Sequence, residues 1–525
     1  MSAAAPPEPT IYRSPLPDVD IPDVPLTELV LGRAAELADK PALVDGSTGR
    51  HLTYGELIAG VRSLAGGLVA RGFQKGQVVG VVAPNTPEYA IVFHGTAMAG
   101  GVITTVNPTY TEREVHHQLI DAGASLVVTV PALLETVRAA AADTNVAEIV
   151  VMGEADGATP LSALFGPPLA EQVPVSGDDL VALPYSSGTT GLSKGVMLTH
   201  HNLVANVVQT ISVSGLAEDD VLDAVLPFFH IYGMQIMMNC GLTVGGTIVL
   251  LPRFDLEQFL HMHQEHRITR SFVAPPIIVA LAKHPMVDSY DLSALRLVMS
   301  GAAPLSGELA KEAGDRLGVQ VVQGYGMTEM SPVSHLTPIG QLKPGSVGVT
   351  VPNTETMIVD PLDGASLGVD ADGEVWVRGP QVMAGYLNNP TATQATIDAD
   401  RWLHTGDIGH IDADGHLYVV DRLKELIKYK GFQVPPAELE ALLLTHPSVA
   451  DAAVVGQPDD EAGEIPVGYV VLKPGQTTTD AEVMEFVAGQ VAHYKQLRRV
   501  TFVESVPKSP SGKILRRQLR EQPAG

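Results

Sequence analysis

Short runs of apolar residues alternate along the chain with segments in which apolar residues recur every three or four positions. The runs Val78–Ala83, Val102–Val106 and Ser125–Val130 have the length of buried strands, whereas Glu112–Ala122 has the spacing of an amphipathic helix. Strands that alternate with helices favour parallel sheets, because each crossover helix returns the chain to the same end of the sheet. The pattern predicts an α/β fold with doubly wound sheets.

The same alternation returns at Leu295–Ser300 and Val319–Val322, and each of these predicted strands runs into a segment that contains glycine. Loops at the carboxyl ends of parallel strands are where such sheets bind ligands. After about Lys343 the pattern changes, and turns rich in glycine and aspartate separate short strands such as Glu374–Arg378 and Leu417–Val420. This change predicts a small antiparallel, β-barrel-like unit.

The chain has 525 residues, which is more than one hydrophobic core usually holds. Beyond residue 421 the pattern reads helix, strand, strand, helix, strand, which predicts a compact α+β unit. We expect a large N-terminal domain over residues 25–421 and a small mobile domain over residues 422–525, with a hinge at 421–424. The proline-rich residues 1–24 predict an extended, mobile arm and not a signal peptide.

The formal net charge of −26 argues against a nucleic-acid-binding role, and no such partner is expected. Cys240 is the one cysteine, so no internal disulfide forms and a reducing, cytoplasmic location is favoured. The segment Ala224–Pro252 carries no charged residue and is long enough to span a bilayer. Proline and glycine interrupt it, which favours a buried helix near Tyr232–Leu242 and a strand at Thr247–Leu251 instead.

The loop Tyr185–Gly195 reads YSSGTTGLSKG and has the composition of a phosphate-binding loop, since glycine lets backbone N–H groups approach an anion. It is not the P-loop of NTPases, because Lys194 is followed by glycine and not by serine or threonine. Alone, such a run is typical of a surface turn. Four further segments accompany it: Gln323–Glu329 (QGYGMTE), Thr405–Asp407 (TGD), Asp421–Gln433 (DRLKELIKYKGFQ) and Pro507–Lys513 (PKSPSGK).

In this order and spacing, the five segments resemble those of the adenylate-forming superfamily, which includes acyl-CoA synthetases, nonribosomal-peptide adenylation domains and beetle luciferases. The resemblance covers about residues 25 to 518 and is greatest to the branch of 4-coumarate–CoA ligases and luciferases. It implies two half-reactions. A carboxylate first attacks the α-phosphorus of ATP to give acyl-AMP and pyrophosphate, and a thiol then displaces AMP. The implied cofactors are ATP, Mg²⁺ and coenzyme A.

The resemblance also implies which residues hold ATP. The β- and γ-phosphates would lie on the glycine-rich loop and Lys194, with Thr328 and Glu329 beside the α-phosphate. Glu329 and Thr190 would hold Mg²⁺, a hard cation that prefers oxygen ligands. The loop residues are Ser186, Ser187, Gly188, Thr189, Thr190 and Gly191, and those around the nucleoside are Gln323, Gly324, Tyr325, Asp407 and Arg422.

Lys513 is implied as the cation that bridges the attacking carboxylate and the α-phosphate, and His230 as the residue that positions the reacting groups. The sequence around Lys513 also resembles sites of reversible lysine acetylation, so an acetyltransferase and a deacetylase are candidate partners. Lys428 is implied as catalytic in the second half-reaction, which needs the small domain to rotate. Residues implied at the hinge and the coenzyme A site are Lys424, Lys430, Gly431, Gln433 and Arg253.

The acyl pocket implied by the resemblance contains small residues, which would let a flat aromatic ring pass. Ile236 and Ser300 depart from the pattern of plant ligases, so the acid stays open between a hydroxycinnamate or related aryl acid and a medium-chain fatty acid. A luciferase-like monooxygenase and a ligase that loads a carrier protein are alternatives, and the chain is expected to be a monomer or homodimer. The pocket residues are Ile231, Tyr232, Ile236, Ser300, Gly301, Ala302, Pro332 and Val333.

Overall fold

The computed structural model describes residues 9–186, 193–430, 432–459, 461–510 and 512–521. Four sheets organise these residues. The first two are the mainly parallel sheets that the sequence predicts, the third is antiparallel, and the fourth belongs to the C-terminal unit. The mixed α/β class, with a large N-terminal part and a small C-terminal part, is therefore confirmed.

The first sheet has nine strands, and its centre is parallel. Val78–Val82 lies in the middle with every residue buried, as its continuous apolar run predicts. In spatial order the strands are Tyr185–Ser186, Lys194–Thr199, Leu180–Ala182, Val102–Val106, Val78–Val82, Ala124–Thr129, Glu148–Val151 and Thr159–Pro160, with Gly385–Tyr386 paired to Lys194–Thr199.

The second sheet also has nine strands, and it is parallel through its central six. Ser300 and Gln323 are register partners on neighbouring strands, so the two glycine-containing segments that follow them lie side by side at one edge. In spatial order the strands are Val349–Thr350, Val333–Leu336, Gln320–Gly326, Leu297–Ser300, Arg270–Val273, Val221–Ala224, Thr247–Leu250, Pro41–Asp45 and His51–Thr53.

The charge-free segment folds into the core. Tyr232–Cys240 is a π-helix that continues as the α-helix Gly241–Val244, and the strand Thr247–Leu250 follows. The predicted helix and strand are confirmed, although the wider π-helical turn was not foreseen. Within the described residues, no helix is both long and apolar enough to cross a membrane.

The third sheet is antiparallel, and its edge strand comes from the N-terminal arm. Tyr12–Arg13 pairs with Glu355–Val359, and the Arg13 guanidinium contacts the Glu355 carboxylate at 2.9 Å. The arm is extended, as predicted, but residues 9–24 are held against the domain, so the expectation of a mobile segment is wrong for them. In spatial order the strands are Tyr12–Arg13, Glu355–Val359, Gly373–Arg378, Leu403–Ile411 and Leu417–Arg422.

The fourth sheet forms the C-terminal unit and contains the predicted order of helices and strands. It adds a hairpin, Ile427–Tyr429 with Phe432–Val434, that the pattern did not reveal. Arg499–Phe502 joins the sheet parallel to its neighbour. In spatial order the four main strands are Phe432–Val434, Ile427–Tyr429, Gly463–Leu472 and Val449–Asp459.

Helices cover the sheets, and several begin with a capping box in which the N-cap and N3 residues exchange hydrogen bonds. The capping box predicted at Thr53 and Glu56 is one of them. The α-helices not yet given are Leu26–Leu31, Tyr54–Ala70, Pro87–Met98, Glu112–Asp121, Leu134–Ala141, His200–Ser214, Leu256–Glu265, Pro275–Lys283, Gly307–Leu317, Pro390–Thr396, Pro436–Leu444, Asp480–Ala488 and Arg516–Arg520. The 3₁₀ helices are Pro131–Leu133, Leu161–Leu164, Pro285–Ser289, Thr328–Met330 and His493–Lys495.

Candidate active site

The two strands that flank the glycine-rich loop in sequence pair with each other as a hairpin. Ser186 pairs with Lys194, and Tyr185 pairs with Gly195, in antiparallel register. The Tyr185 hydroxyl donates to the Asp121 carboxylate at 2.7 Å, which ties the base of the hairpin to the end of the helix Glu112–Asp121. Five residues predicted to bind phosphate or metal lie outside the described residues, namely Ser187, Gly188, Thr189, Thr190 and Gly191.

Glu329 meets this hairpin from the second sheet. Its Oε1 accepts hydrogen bonds from the Ser186 hydroxyl at 2.9 Å and from the Tyr386 hydroxyl at 2.8 Å. The Lys194 ammonium lies 3.9 Å from the centre of the Tyr386 ring, a cation–π geometry. Burial lowers the pKa of Lys194, the Glu329 carboxylate opposes this shift, and the charge of Lys424 adds to it. Glu329 and Lys194 are thus held together through Tyr386 at the strands that flank the glycine-rich loop.

Asp407 forms a second polar centre on the third sheet. Its Oδ2 accepts a hydrogen bond from the Tyr325 hydroxyl at 2.6 Å, and its Oδ1 lies 3.2 Å from Arg422 Nε. Asp407 and Arg422 are register partners on adjacent strands, which fixes their spacing. Asp407 is only 4% exposed, and this burial raises the pKa of its carboxyl while Arg422 and Tyr325 oppose the rise. The predicted nucleoside residues Tyr325, Asp407 and Arg422 are therefore in contact.

Lys513 reaches this centre from the C-terminal unit. Its backbone N–H donates to the Ser509 hydroxyl at 3.1 Å, which stabilises a tight turn. Burial, followed by the charge of Arg422, lowers the pKa of Lys513 to about 8, while Asp407 acts in the opposite direction. The fold thus brings the partly buried ammonium of Lys513 to Asp407 and Arg422, which lie more than ninety positions earlier in the chain.

His230 lies close enough to Lys513 for their charges to interact. Its Nδ1 accepts from the Tyr232 backbone N–H at 3.3 Å, just before the π-helix begins. Burial, followed by the charge of Lys513, lowers the pKa of His230 to about 4. The imidazole is therefore neutral at physiological pH, which suits a positioning group and not a permanent cation.

The predicted acyl residues surround one cavity of about 60 Å³. Gly301 packs directly against the Tyr232 ring, since a Cβ placed at Gly301 would lie only 2.9 Å from Tyr232 Cε1. All eight predicted pocket residues line this cavity: Ile231, Tyr232, Ile236, Ser300, Gly301, Ala302, Pro332 and Val333. His230, Gly324 and Tyr325 line it too, and Tyr325 also contacts Asp407, so the cavity adjoins the Asp407 centre.

The other predicted residues are either buried beside these centres or exposed away from them. Gln323 and Thr328 are buried beside the site, on the strand Gln320–Gly326 and the 3₁₀ helix Thr328–Met330. Residues on the C-terminal hairpin and nearby loops are exposed, and their roles toward coenzyme A stay predictions. The exposed residues are Lys424, Lys428, Lys430, Gln433 and Arg253, and Gly431 lies outside the described residues.

Some residues at the site were not found from the sequence. Tyr386 belongs to none of the five motif segments, and only its contacts with Glu329 and Lys194 indicate a role at the site. Thr210 lies on the helix His200–Ser214, whose apolar spacing indicates burial and no more. The additional residues that line the acyl cavity are Thr210, Met299, Gly326, Met327 and Leu336.

The charged groups suit a reaction between two anions. Lys194, Arg422 and Lys513 contribute cationic side chains to the site, and such cations stabilise the charge that develops on a phosphoryl group. Within the described residues, no cluster of three or more histidine, cysteine or acidic side chains could hold a metal by itself. The site thus has the features of an adenylate-forming enzyme.

Comparison with known proteins defines the family. Residues 32–387 match the AMP-binding enzyme family, and residues 438–513 match the AMP-binding enzyme C-terminal domain. A 4-coumarate–CoA ligase of Oryza sativa subsp. japonica, number 3, is 46% identical over 99% of this chain and 96% of its own. ATP-bound MatB from Rhodopseudomonas palustris superposes with a TM-score of 0.86, at 32% identity, over 95% of this chain and 99% of its own. The anthranilate CoA ligase AuaEII, in complex with anthranoyl-AMP, superposes with a TM-score of 0.89, at 26% identity, over 96% of this chain and 97% of its own.

The chain therefore belongs to the family of AMP-binding enzymes, in the adenylate-forming branch that resembles 4-coumarate–CoA ligases. The predicted superfamily, branch and fold class are confirmed, as is the predicted class of AMP-forming acid–thiol ligase.

Proposed function

We propose that this ligase activates an aryl acid, either a hydroxycinnamate or a related compound, as acyl-AMP and then transfers the acyl group to coenzyme A. The observation that carries the proposal is the mostly apolar cavity that His230 lines together with Tyr232 and Gly301, where the missing side chain of Gly301 lets the Tyr232 ring pack against the backbone. Its relatives include 4-coumarate–CoA ligases and an anthranilate CoA ligase, both named for aromatic acids. A medium-chain fatty acid is the second candidate, since the cavity wall is mostly apolar.

In the first half-reaction, Lys513 would neutralise the approaching carboxylate and α-phosphate. Lys194 would bind the leaving pyrophosphate, while Asp407 would accept hydrogen bonds from the ribose hydroxyls. Glu329 fits a role toward Mg²⁺, because this cation is commonly held by one or two carboxylates together with substrate phosphates. The hydroxyls of Ser186 and Tyr386 both donate to Oε1 of Glu329, so Oε2 accepts neither of these two hydrogen bonds. Bound Mg²⁺ would supply charge neutralisation on the phosphates.

In the second half-reaction, the C-terminal domain, residues 422–525, would rotate about the hinge at 421–424. The structure has Lys513 at the Asp407 centre, whereas Lys428 and Gln433 are exposed on a separate hairpin. Rotation would exchange these two sets of residues at the acyl carbonyl. Lys430, Gly431 and Arg253 would then contact coenzyme A.

The decisive test measures AMP release with ATP, Mg²⁺ and coenzyme A across cinnamates, benzoates and fatty acids of increasing length. We expect coenzyme A thioesters from aromatic acids in preference to aliphatic ones. Preference for a fatty acid would support the second candidate, and the absence of any thioester would contradict the ligase assignment. Light emission with a luciferin, or transfer to a carrier protein in place of coenzyme A, would support the other members of the superfamily.

The role of Lys513 can be tested by separating the half-reactions. Lys513→Ala should abolish acyl-AMP formation but spare thiolysis of supplied acyl-AMP, and equal loss in both would contradict the role. We also propose that acetylation of Lys513 switches adenylation off, because it removes the charge. Full activity after complete acetylation would contradict this regulation.

The remaining proposals concern the setting of the enzyme. Cys240 is buried and free, which suits the cytoplasm, where thiols stay reduced. The protein would act there as a monomer or homodimer, and size-exclusion chromatography with light scattering would distinguish the two states.

A further inference from the structure

Two hydroxyl groups in the wall of the acyl cavity have no hydrogen-bond partner. Among the described residues, the buried side-chain polar atoms without a partner include Thr210 Oγ1 and Ser300 Oγ. Each residue is only 1% exposed, and each lines the cavity. The rest of the wall is largely aliphatic or aromatic, so the two hydroxyls stand out as polar groups without a partner on residues that line the cavity.

The position of Thr210 is fixed by its neighbours on the helix His200–Ser214. One turn earlier, the Asn206 side chain donates to the Val333 carbonyl at 2.8 Å and accepts from the Val333 N–H at 3.1 Å. The adjacent Gln209 amide donates to the Pro352 carbonyl at 2.8 Å. These bonds anchor the helix beside the strand Val333–Leu336 without any contribution from Thr210. The Thr210 hydroxyl is therefore not needed to hold the helix in place.

Ser300 reaches the cavity from another element. It is the last residue of the strand Leu297–Ser300, directly before Gly301. Its backbone belongs to the parallel ladder with Gln323, while its hydroxyl lies outside that ladder. The two unpartnered hydroxyls thus belong to a helix and to a strand of the second sheet, and the acyl cavity is the space that both of them line.

A buried hydroxyl without a partner costs folding free energy, whereas valine would nearly keep the shape of threonine without that cost. A group on the ligand can offset the cost by hydrogen-bonding the hydroxyl. We propose that Thr210 is a specificity-determining residue whose hydroxyl binds a hydrogen-bonding substituent on the acyl group, with Ser300 as a second polar contact. This proposal rests on the proposed ligase function. It favours acids that carry an oxygen or nitrogen substituent over hydrocarbon acids of the same shape.

The test uses the best acid found for the wild-type enzyme and its analogue that lacks the polar substituent, such as a hydroxycinnamate and cinnamate. Thr210→Val removes the hydroxyl and nearly keeps the shape. It should lower kcat/KM for the substituted acid by about 10- to 100-fold, as expected when one buried hydrogen bond is lost. For the unsubstituted acid, kcat/KM should stay within about threefold of the wild-type value. Thr210→Ser retains the hydroxyl and should keep the preference.

Two controls separate recognition from structure. Ile236→Val changes the size of the same cavity without a polar atom, and it should affect both acids alike. The melting temperature of ligand-free Thr210→Val should equal or exceed that of the wild type, because no native hydrogen bond is removed. A lower melting temperature would show that the hydroxyl has a structural partner and would overturn the proposal.

The kinetic outcomes are equally direct. Equal losses for both acids, unchanged preference in Thr210→Val, or a best acid without any polar substituent would each overturn the assignment of Thr210. If a bound water hydrogen-bonds the Thr210 hydroxyl in place of the substrate, the preference will be unchanged in Thr210→Val. Failure of the ligase function itself looks different, because the wild-type enzyme would then form no thioester with either acid.

Discussion

The carboxylate of Asp421 accepts a hydrogen bond from the backbone N–H of Ala437 at 2.8 Å. Asp421 lies at the start of the proposed hinge, whereas Ala437 lies in the first turn of the helix Pro436–Leu444 beyond it. A carboxylate at a helix N-terminus is also stabilised by the helix dipole. The bond therefore joins the two sides of the hinge in the arrangement in which Lys513 reaches Asp407.

Loss of this bond should shift the enzyme away from the adenylating arrangement. We expect Asp421→Ala to slow acyl-AMP formation by about tenfold, the effect of losing one hydrogen bond to a charged group, and to spare thiolysis of supplied acyl-AMP. Asp421→Asn keeps an acceptor oxygen and should be less impaired. Single-turnover measurement of each half-reaction gives the answer, and a larger loss in thiolysis than in adenylation would contradict it.

The pH dependence of adenylation should report the protonation of Lys513. Its pKa is lowered to about 8, so the ammonium is present below this pH and is lost as the pH rises through it. The rate of acyl-AMP formation should therefore fall above about pH 8. Lys513→Arg carries a side chain that stays protonated, so its residual rate should not fall there. The same alkaline decline in both enzymes would show that another group titrates.

Gly512 should be needed to seat the turn that presents Lys513. Its φ of +84° lies in the left-handed region, and a Cβ there would come within 2.9 Å of the Ala274 Cβ. Gly512→Ala should reduce adenylation at least tenfold, by the cost of strain and displacement together, without lowering the melting temperature of the large domain. As a comparison, Gly475→Ala tests an exposed glycine with φ +75° and open space around it, and it should leave adenylation unchanged.

Tyr386 should stabilise the phosphate end of the site in two separable ways. Tyr386→Phe removes the hydrogen bond to Glu329 but keeps the ring beneath Lys194, so it should raise the KM for ATP less than Tyr386→Leu, which removes both. We expect the KM for ATP to rise about threefold in Tyr386→Phe and about tenfold or more in Tyr386→Leu, from typical hydrogen-bond and cation–π energies. Equal effects of the two variants would assign the role to the hydrogen bond alone.

Elements with strong local patterns could be predicted from the sequence. A continuous apolar run predicts the buried strand Val78–Val82. A capping box predicts the start of the helix after Thr53. The residues proposed for the ATP site were predicted because their motifs resemble those of a known superfamily. Contact of Asp407 with both Tyr325 and Arg422 then follows from how the second and third sheets meet.

Features that depend on distant partners could not be predicted. Nothing near Tyr12 indicates that it will pair with a strand more than three hundred residues away, and proline-rich sequence alone suggests a loose arm. Thr210 is a similar case, because helical spacing shows that a residue is buried but not that its hydroxyl faces a cavity. Sequence pattern reports the environment of a residue, whereas its partner is decided by the whole fold.

The edge strand Tyr12–Arg13 has a practical consequence for anyone who produces this enzyme. A recombinant form trimmed to begin at residue 25 would uncover the backbone of Glu355 and Thr356 and leave the Glu355 carboxylate without Arg13. Exposed strand edges are templates for association between molecules. An affinity tag is therefore better placed before residue 9 with the arm intact, since the shortened protein would be the one prone to aggregate during purification.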